Sequence, residues 1–219
     1  IDGVLSGVVL LAFRRDRAWI GGFGVVPEFR RRGLARRYLD ETLAIAHASG
    51  VASVELEVLT HNTAAVRLYE RAGFAVVDEV VVWTREPQPP SGAEDGEARH
   101  VAYDAPAIAA LARTPAPCWQ REPQSVAAAA PFAALFAGSP EAPDAFALVR
   151  PGERASVIDA RALGAAPASA LLGVLDAQFA PYPMALVNEP ARGPLHDAFV
   201  AHGGWREFGR QYRMRIGLR

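Results

Sequence analysis

Between Gly21 and Arg37 the chain reads GGFGVVPEFRRRGLARR, which sets Arg30, Arg31, Arg32, Arg36 and Arg37 around one glycine, Gly33. A guanidinium presents a fork of donors suited to carboxylate or phosphate oxygens. The apolar run of residues 18–26 stops at Pro27, and Leu34, Tyr38, Leu39, Leu43, Ile45 and Ala46 then follow at helical spacing. A strand that ends in this way and re-enters as a helix leaves several backbone N–H groups without partners at the turn. The helix start carries roughly half a positive charge, which favours an anion there. Gly33 lets a ligand come close to the backbone. Together these residues predict a phosphate cradle. Two other readings stay open at this point. Gly21, Gly22 and Gly24 touch a dinucleotide fingerprint, although Pro27 stands where a third glycine belongs. The arginines would also serve as a solvated helix face.

Proton-transfer groups cluster downstream. In residues 51–59, Val54, Leu56 and Val58 alternate with Glu55 and Glu57, so one strand face is apolar and the other acidic. Carboxylates buried without partners are costly, so the acidic face must meet a cleft, water or nearby arginines. Glu57, nearer the strand's C-terminal end, is the first candidate base and His61 the second. Asn62 is placed to cap a short helix over 64–72. Tyr69 on that helix reads as an amphipathic packing residue with a wet hydroxyl. His47, His100, His196 and His202 show no metal-ligand spacing, and Cys118 reads as a small core residue.

The elements that must position these groups are legible from periodicity and punctuation. Strands are expected over 7–13 and 18–26, a helix over 33–48 ending at Gly50, a strand over 51–59, the helix over 64–72 and a strand over 74–83. Residues 87–97, PQPPSGAEDGE, read as an interdomain linker. A weak strand over 99–103, a helix over 108–112 and helical sequence over 119–130 broken at Pro123 follow. Strands are then expected at 132–137, 145–150 and 155–163, a helix at 167–179, a strand at 183–187, a helix at 195–202 and a last strand at 205–216. The order after Gly7 is thus repeated after Phe146, which suggests two copies of one fold. Domains are expected over 1–86 and 98–219.

Composition narrows the class. The chain has 219 residues, 51% hydrophobic and 21% charged, with a formal net charge of -1. That balance excludes a general polyanion binder and requires any basic patch to be local. No run is long enough for a membrane span. Every one of the 23 basic residues is an arginine, so no lysine is available for Schiff-base chemistry. The lone cysteine fits a cytoplasmic protein. Oligomeric state is not indicated.

Two motifs carry a resemblance. Arg30, Gly33 and Ala35 fit Arg/Gln-x-x-Gly-x-Gly/Ala, and Asn62, Ala65, Leu68, Tyr69, Gly73 and Phe74 fit Asn-x-x-Ala-x-x-Leu-Tyr-x-x-x-Gly-Phe. This pair resembles the GNAT N-acetyltransferase superfamily, over roughly residues 1–85. The resemblance implies a mixed α/β fold with a largely antiparallel sheet flanked by helices, acetyl-CoA as cosubstrate, no metal, and a primary amine as acceptor. Nucleic acid and membrane are not implied as partners. It implies that Arg31, Arg32, Gly33, Leu34, Ala35 and Arg36 bind the pyrophosphate, and that Val25 and Val26 pair with pantetheine. The Val26 N–H would stabilise the oxyanion, Asn62 would touch the cofactor arm, and Tyr69 would protonate the leaving thiolate. Glu57 is the expected base. The arrangement is expected to be tandem. The first unit is expected to lack a front strand and helices, and the second to be degenerate, because 163–167 (LGAAP) keeps neither the arginine nor the Gly-x-Gly/Ala spacing. A non-catalytic acyl-CoA-sensing module is the competing reading.

Overall fold

The computed structural model describes residues 3–89, 108, 118–139 and 141–218. They form a mixed α/β fold whose strands pair mostly antiparallel, with flanking helices. The chain packs into two compact units, residues 1–79 with 211–219 and residues 80–210.

In the first unit, β1 (Gly7–Arg14) and β2 (Arg17–Val25) form a hairpin, followed by α1 (Leu34–Ala48), β3 (Ser53–Leu59), α2 (Thr63–Arg71) and the start of β4 (Ala75–Arg85). Helical periodicity turns Leu34, Leu39, Thr42 and Ala46 of α1 inward. The outward pairs Arg36–Asp40 and Arg37–Glu41 bond at i,i+4. Leu39, Val54, Leu56, Tyr69, Phe74 and Met214 make the core.

The strand order is β1-β2-β3-β9-β4, where β9 is Trp205–Gly217. Residues 211–217 of β9 lie antiparallel to β3, from Leu59↔Gln211 to Ser53↔Gly217. This corrects the expected boundary: the last strand, assigned by sequence to a 98–219 domain, packs its end into the first unit. Its apolar–charged alternation matches that of β3, so Met214 meets Leu56 while Arg215 meets Glu55. Glu55 is 2% exposed and accepts two hydrogen bonds from Arg215, with Arg17 at 3.7 Å. Arginine pairing is therefore what permits that carboxylate on a central strand.

In the second unit, a 3₁₀ turn (Trp119–Arg121) and α3 (Pro123–Ala128) precede β5 (Ala133–Ser139), β6 (Ala142–Arg150), β7 (Ala155–Ala162), α4 (Ala165–Phe179), β8 (Met184–Pro190) and α5 (Pro194–Ala201). The order is β4-β8-β7-β6-β5. Leu135, Leu148, Leu171, Leu172, Leu175 and Phe199 are among its fully buried side chains. The expected strand over 99–103 lies outside the described residues, as do the linker from residue 90 onward and the helix over 108–112 except for Ile108, which is helical and buried.

The run β1-β2-α1-β3-α2 of the first unit has the same order of strands and helices as β6-β7-α4-β8-α5 of the second, which carries α3 and β5 ahead of it. Helices α1 and α4 each have 15 residues, and β3 and β8 each have 7. Both units contain a parallel strand pair, β2–β3 in the first and β7–β8 in the second. The connection entering the long helix differs. Residues 26–33 separate β2 from α1, whereas only Leu163 and Gly164 separate β7 from α4. The helix expected from Pro167 begins two residues earlier, at Ala165, because proline is tolerated within a first turn.

Candidate functional site

The site begins with a wedge between parallel strands. β2 pairs with β3 only from Arg17↔Ser53 to Ile20↔Leu56, although β2 continues to Val25 and β3 to Leu59. A register shift at this point, where Leu10 faces Gly22 and Leu11 faces Ile20, leaves Gly21 as an extra residue on β2. A Cβ on Gly21 would lie 2.3 Å from the Trp19 ring, so any larger residue there would have to displace that ring.

Past the bulge, the antiparallel ladder with β1 decides which backbone groups face the wedge. The Val26 N–H donates to the Ser6 carbonyl at 3.0 Å. Because such ladders alternate, Phe23 and Val25 turn their N–H and C=O groups the other way, into the wedge. The Arg30 Nε–H reaches the Val25 carbonyl there at 3.0 Å. This corrects the expected role of Val26, whose N–H is committed to β1; the outward donors are those of Phe23 and Val25.

The wedge opens into a cleft of about 580 Å³ at the end of β2. Its floor is the loop 26–33. Pro27–Phe29 makes a 3₁₀ turn, then Arg31 (φ 60°) and Gly33 (φ 78°) adopt left-handed backbone conformations. Such alternation aims successive N–H groups into one concavity. Gly33 caps α1 with no side-chain acceptor, and the first bond of the helix is Arg37 N–H to the Gly33 carbonyl at 3.2 Å. The N–H groups of Leu34, Ala35 and Arg36 therefore have no intrahelical partner and point toward the cleft's helix-dipole end.

Of the residues expected at a cofactor, Val25, Arg31, Gly33, Leu34, Ala35, Arg36 and Asn62 line this cleft. Val26 and Arg32 are not among its lining; the Arg32 guanidinium lies 5.4 Å from the Phe29 ring centre instead. Asn62 caps α2, its side-chain oxygen accepting from Ala65 N–H at 3.3 Å. Arg30, already placed in the phosphate cradle by its sequence, and the motif residue Leu68 also line the cleft, as do Phe23, Gly24 and Arg71, which had no assigned role. For Phe23 and Arg71 a signal existed, since Phe23 alternates with Val25 and Arg71 falls three residues after Leu68.

The two proton-transfer candidates stand outside the lining. Tyr69 is 5% exposed and packs edge-on against Phe23 (6.2 Å between ring centres) and Phe74 (5.7 Å). Burial raises its phenol from the ordinary value near 10 to about 12, so it holds its proton throughout the neutral range. Glu57 Oε2 accepts from Trp19 Nε1–H at 2.8 Å, and Glu57 faces Arg213 across the strands. Arg213 in turn donates two hydrogen bonds to Asp78. His61 is exposed. Among the described residues, no group of three His, Cys, Asp or Glu side chains is placed to hold a metal ion, and no helix is long and apolar enough to cross a membrane.

The second unit handles the same strand geometry differently. β7 and β8 pair only from Ala155↔Met184 to Val157↔Leu186 and then part. Arg121 fills the gap. Its Nε–H donates to Asp159 at 2.8 Å, Nη1–H to Glu189 and to the Asn188 carbonyl, and Nη2–H to the Ala160 carbonyl. Asn188 holds a positive φ of 58° that turns Glu189 inward. Burial alone would lower the Arg121 pKa, but Glu189 and Asp159 outweigh it and hold the guanidinium charged. Burial raises the Glu189 carboxyl, and Arg121 opposes that shift.

Residues 1–74 match the Acetyltransferase (GNAT) family. The bulged strand, the left-handed glycine loop and the Asn62 cap all belong to that segment. A [Ribosomal protein bS18]-alanine N-acetyltransferase of Salmonella typhimurium is 41% identical over 59 residues, 27% of this chain and 40% of that protein. The Escherichia coli K12 protein of the same name is 33% identical over 73 residues, 33% of this chain and 49% of that protein. This chain thus spans under half the length of these curated relatives. In three dimensions, a GCN5-related N-acetyltransferase from Sphaerobacter thermophilus superposes with a TM-score of 0.69 at 18% identity, over 100% of this chain and 78% of that one. That likeness establishes a shared fold across the chain.

Proposed function

We propose that the chain is an acetyl-CoA-dependent N-acetyltransferase that passes an acetyl group directly to a primary amine in a ternary complex. One observation carries this reading: the β2–β3 wedge presents free backbone groups along its length and ends in an N–H-rich loop lined with guanidinium groups. A pantetheine arm would bond to Val25 in the wedge, and the pyrophosphate would lie on the N–H groups of residues 31–36. The amine nitrogen attacks the thioester carbonyl carbon, and negative charge grows on its oxygen. The Phe23 N–H, turned into the wedge, is the donor we assign to that charge. The carbon–sulfur bond then breaks, the thiolate takes a proton from Tyr69, and the amine's proton passes to Glu57. Trp19 holds that carboxylate in place.

We further propose that the chain is a tandem of two GNAT-like units and that only the first retains a cofactor site. The two-residue connection at Leu163 and Gly164 supports this, since it leaves no room for a pyrophosphate loop. Arg121, seated where an acyl arm would enter, supports it further. Isothermal titration should give one acetyl-CoA per chain, and a stoichiometry of two would remove this assignment. A panel of small amines and peptides with free N-termini, followed by thiol release, tests the transfer. Cofactor binding without any turnover would favour the sensing module; the burial of Tyr69 and the Trp19 bond to Glu57 are what keep that reading open.

Glu57→Gln should lower kcat/KM by about a hundredfold and remove the acidic limb of its pH profile, as expected for loss of a general base. An unchanged profile would pass the role to His61 or to water.

A further inference from the structure

The cleft is lined by four arginines, Arg30, Arg31, Arg36 and Arg71. Two already have work within the protein. Arg30 bonds the Val25 carbonyl, and Arg36 gives its Nε–H to both oxygens of Asp40 at 2.9 Å. Arg31 and Arg71 have no carboxylate partner among the described residues. They approach from different walls, Arg31 from the loop and Arg71 from the end of α2. The two walls are joined: Arg36 Nη1–H donates to the Arg71 carbonyl at 3.3 Å. Arg71 is thereby held beside the first turn of α1, the end of the cleft that favours anions.

The backbone donors of residues 31–36 and the Arg31 charge suffice for a pyrophosphate. Arg71 adds a cationic site on the opposite wall, which a ligand bearing only that pyrophosphate would leave unused. We infer that Arg71 recognises the third phosphoryl group of coenzyme A, the one on the 3′-oxygen of the ribose, and so selects the full cofactor over forms lacking it. The inference rests on the acyl-CoA reading above. A competing role for Arg71 is purely local, since a cation in the last turn of a helix also offsets its terminal carbonyls.

Titration of coenzyme A and 3′-dephospho-coenzyme A into the whole chain separates these. The unaltered protein should prefer coenzyme A by about tenfold or more, the usual reach of one charge-assisted contact. Arg71→Gln should abolish that preference while keeping the affinity for the dephospho form, and Arg71→Lys should restore part of it. Arg31→Gln should weaken both ligands alike. Equal binding of both forms by the unaltered protein overturns the inference and leaves the acyl-CoA reading standing. So does a preference that survives in Arg71→Gln, even where its melting temperature falls. If neither form binds, both readings fall together.

Discussion

Replacing Tyr69 with phenylalanine is expected to lower kcat by about a hundredfold, the lower range for losing a positioned general acid. The dissociation constant for acetyl-CoA should not change, because Tyr69 is absent from the cleft lining and its ring is retained. The edge-on contacts with Phe23 and Phe74 need only that ring. The hydroxyl has no hydrogen-bond partner among the described residues, so its removal leaves no buried group stranded. Stopped-flow turnover with equilibrium binding measured on the same preparation checks both halves. Unchanged turnover would confine Tyr69 to packing. The phenol at about 12 also has a stability signature. Folding favours the neutral form, so the contribution is complete below pH 10 and is lost as pH rises from about 10 toward 12. The phenylalanine variant should lack that alkaline decline.

The largest effect on stability is expected at Arg121. Truncation to alanine leaves Asp159 (0% exposed) and Glu189 (5%) buried near each other with only Arg161, which bonds Asp159 at 3.1 Å, as counter-charge. Breaking a buried pair in this way costs about 3–5 kcal/mol. Urea unfolding at pH 7 measures it, and a loss below about 1 kcal/mol, the value of an exposed pair, would show that the cluster is not a unit. The deficit should also shrink in acid. Glu189 already has a raised carboxyl pKa, and losing Arg121 removes the larger of the two charges that oppose the rise, Arg161 being the other. A raised folded-state pKa contributes stability at low pH that disappears as pH climbs through it, so the variant should recover part of its loss on acidification toward pH 5. Arg121→Met, which fills the space but brings no charge, should recover less.

Much of the first unit was legible because its determinants are local. Pro27 ends β2, Gly33 supplies the left-handed turn, Asn62 caps α2, and Gly73 stops it, all within a few residues of what they control. The cradle could be located from Arg30 to Arg37 for the same reason. What escaped depends on residues far apart in the chain. The direction of the Val26 N–H follows from its register with Ser6, which the bulge at Gly21 sets across the hairpin. Glu55 finds Arg215 at a separation of 160 residues. Arg121 sits in a stretch whose sequence gives only a broken helix, and the distant Asp159 and Glu189 explain its burial. Arg71 joins the cleft because α2 folds back beside α1.

The pairing of β9 with β3 has a consequence for how the molecule is made. During synthesis β3 emerges early, yet its partner strand, residues 211–217, follows all of residues 80–210. Until then β3 presents an open edge, and Glu55 lacks Arg215. A nascent chain stalled or cut before residue 211 would therefore expose an aggregation-prone strand edge, with Arg17 as the remaining counter-charge of Glu55. The first unit, which counts residues 211–219 among its own, is complete only when that distant strand has joined it.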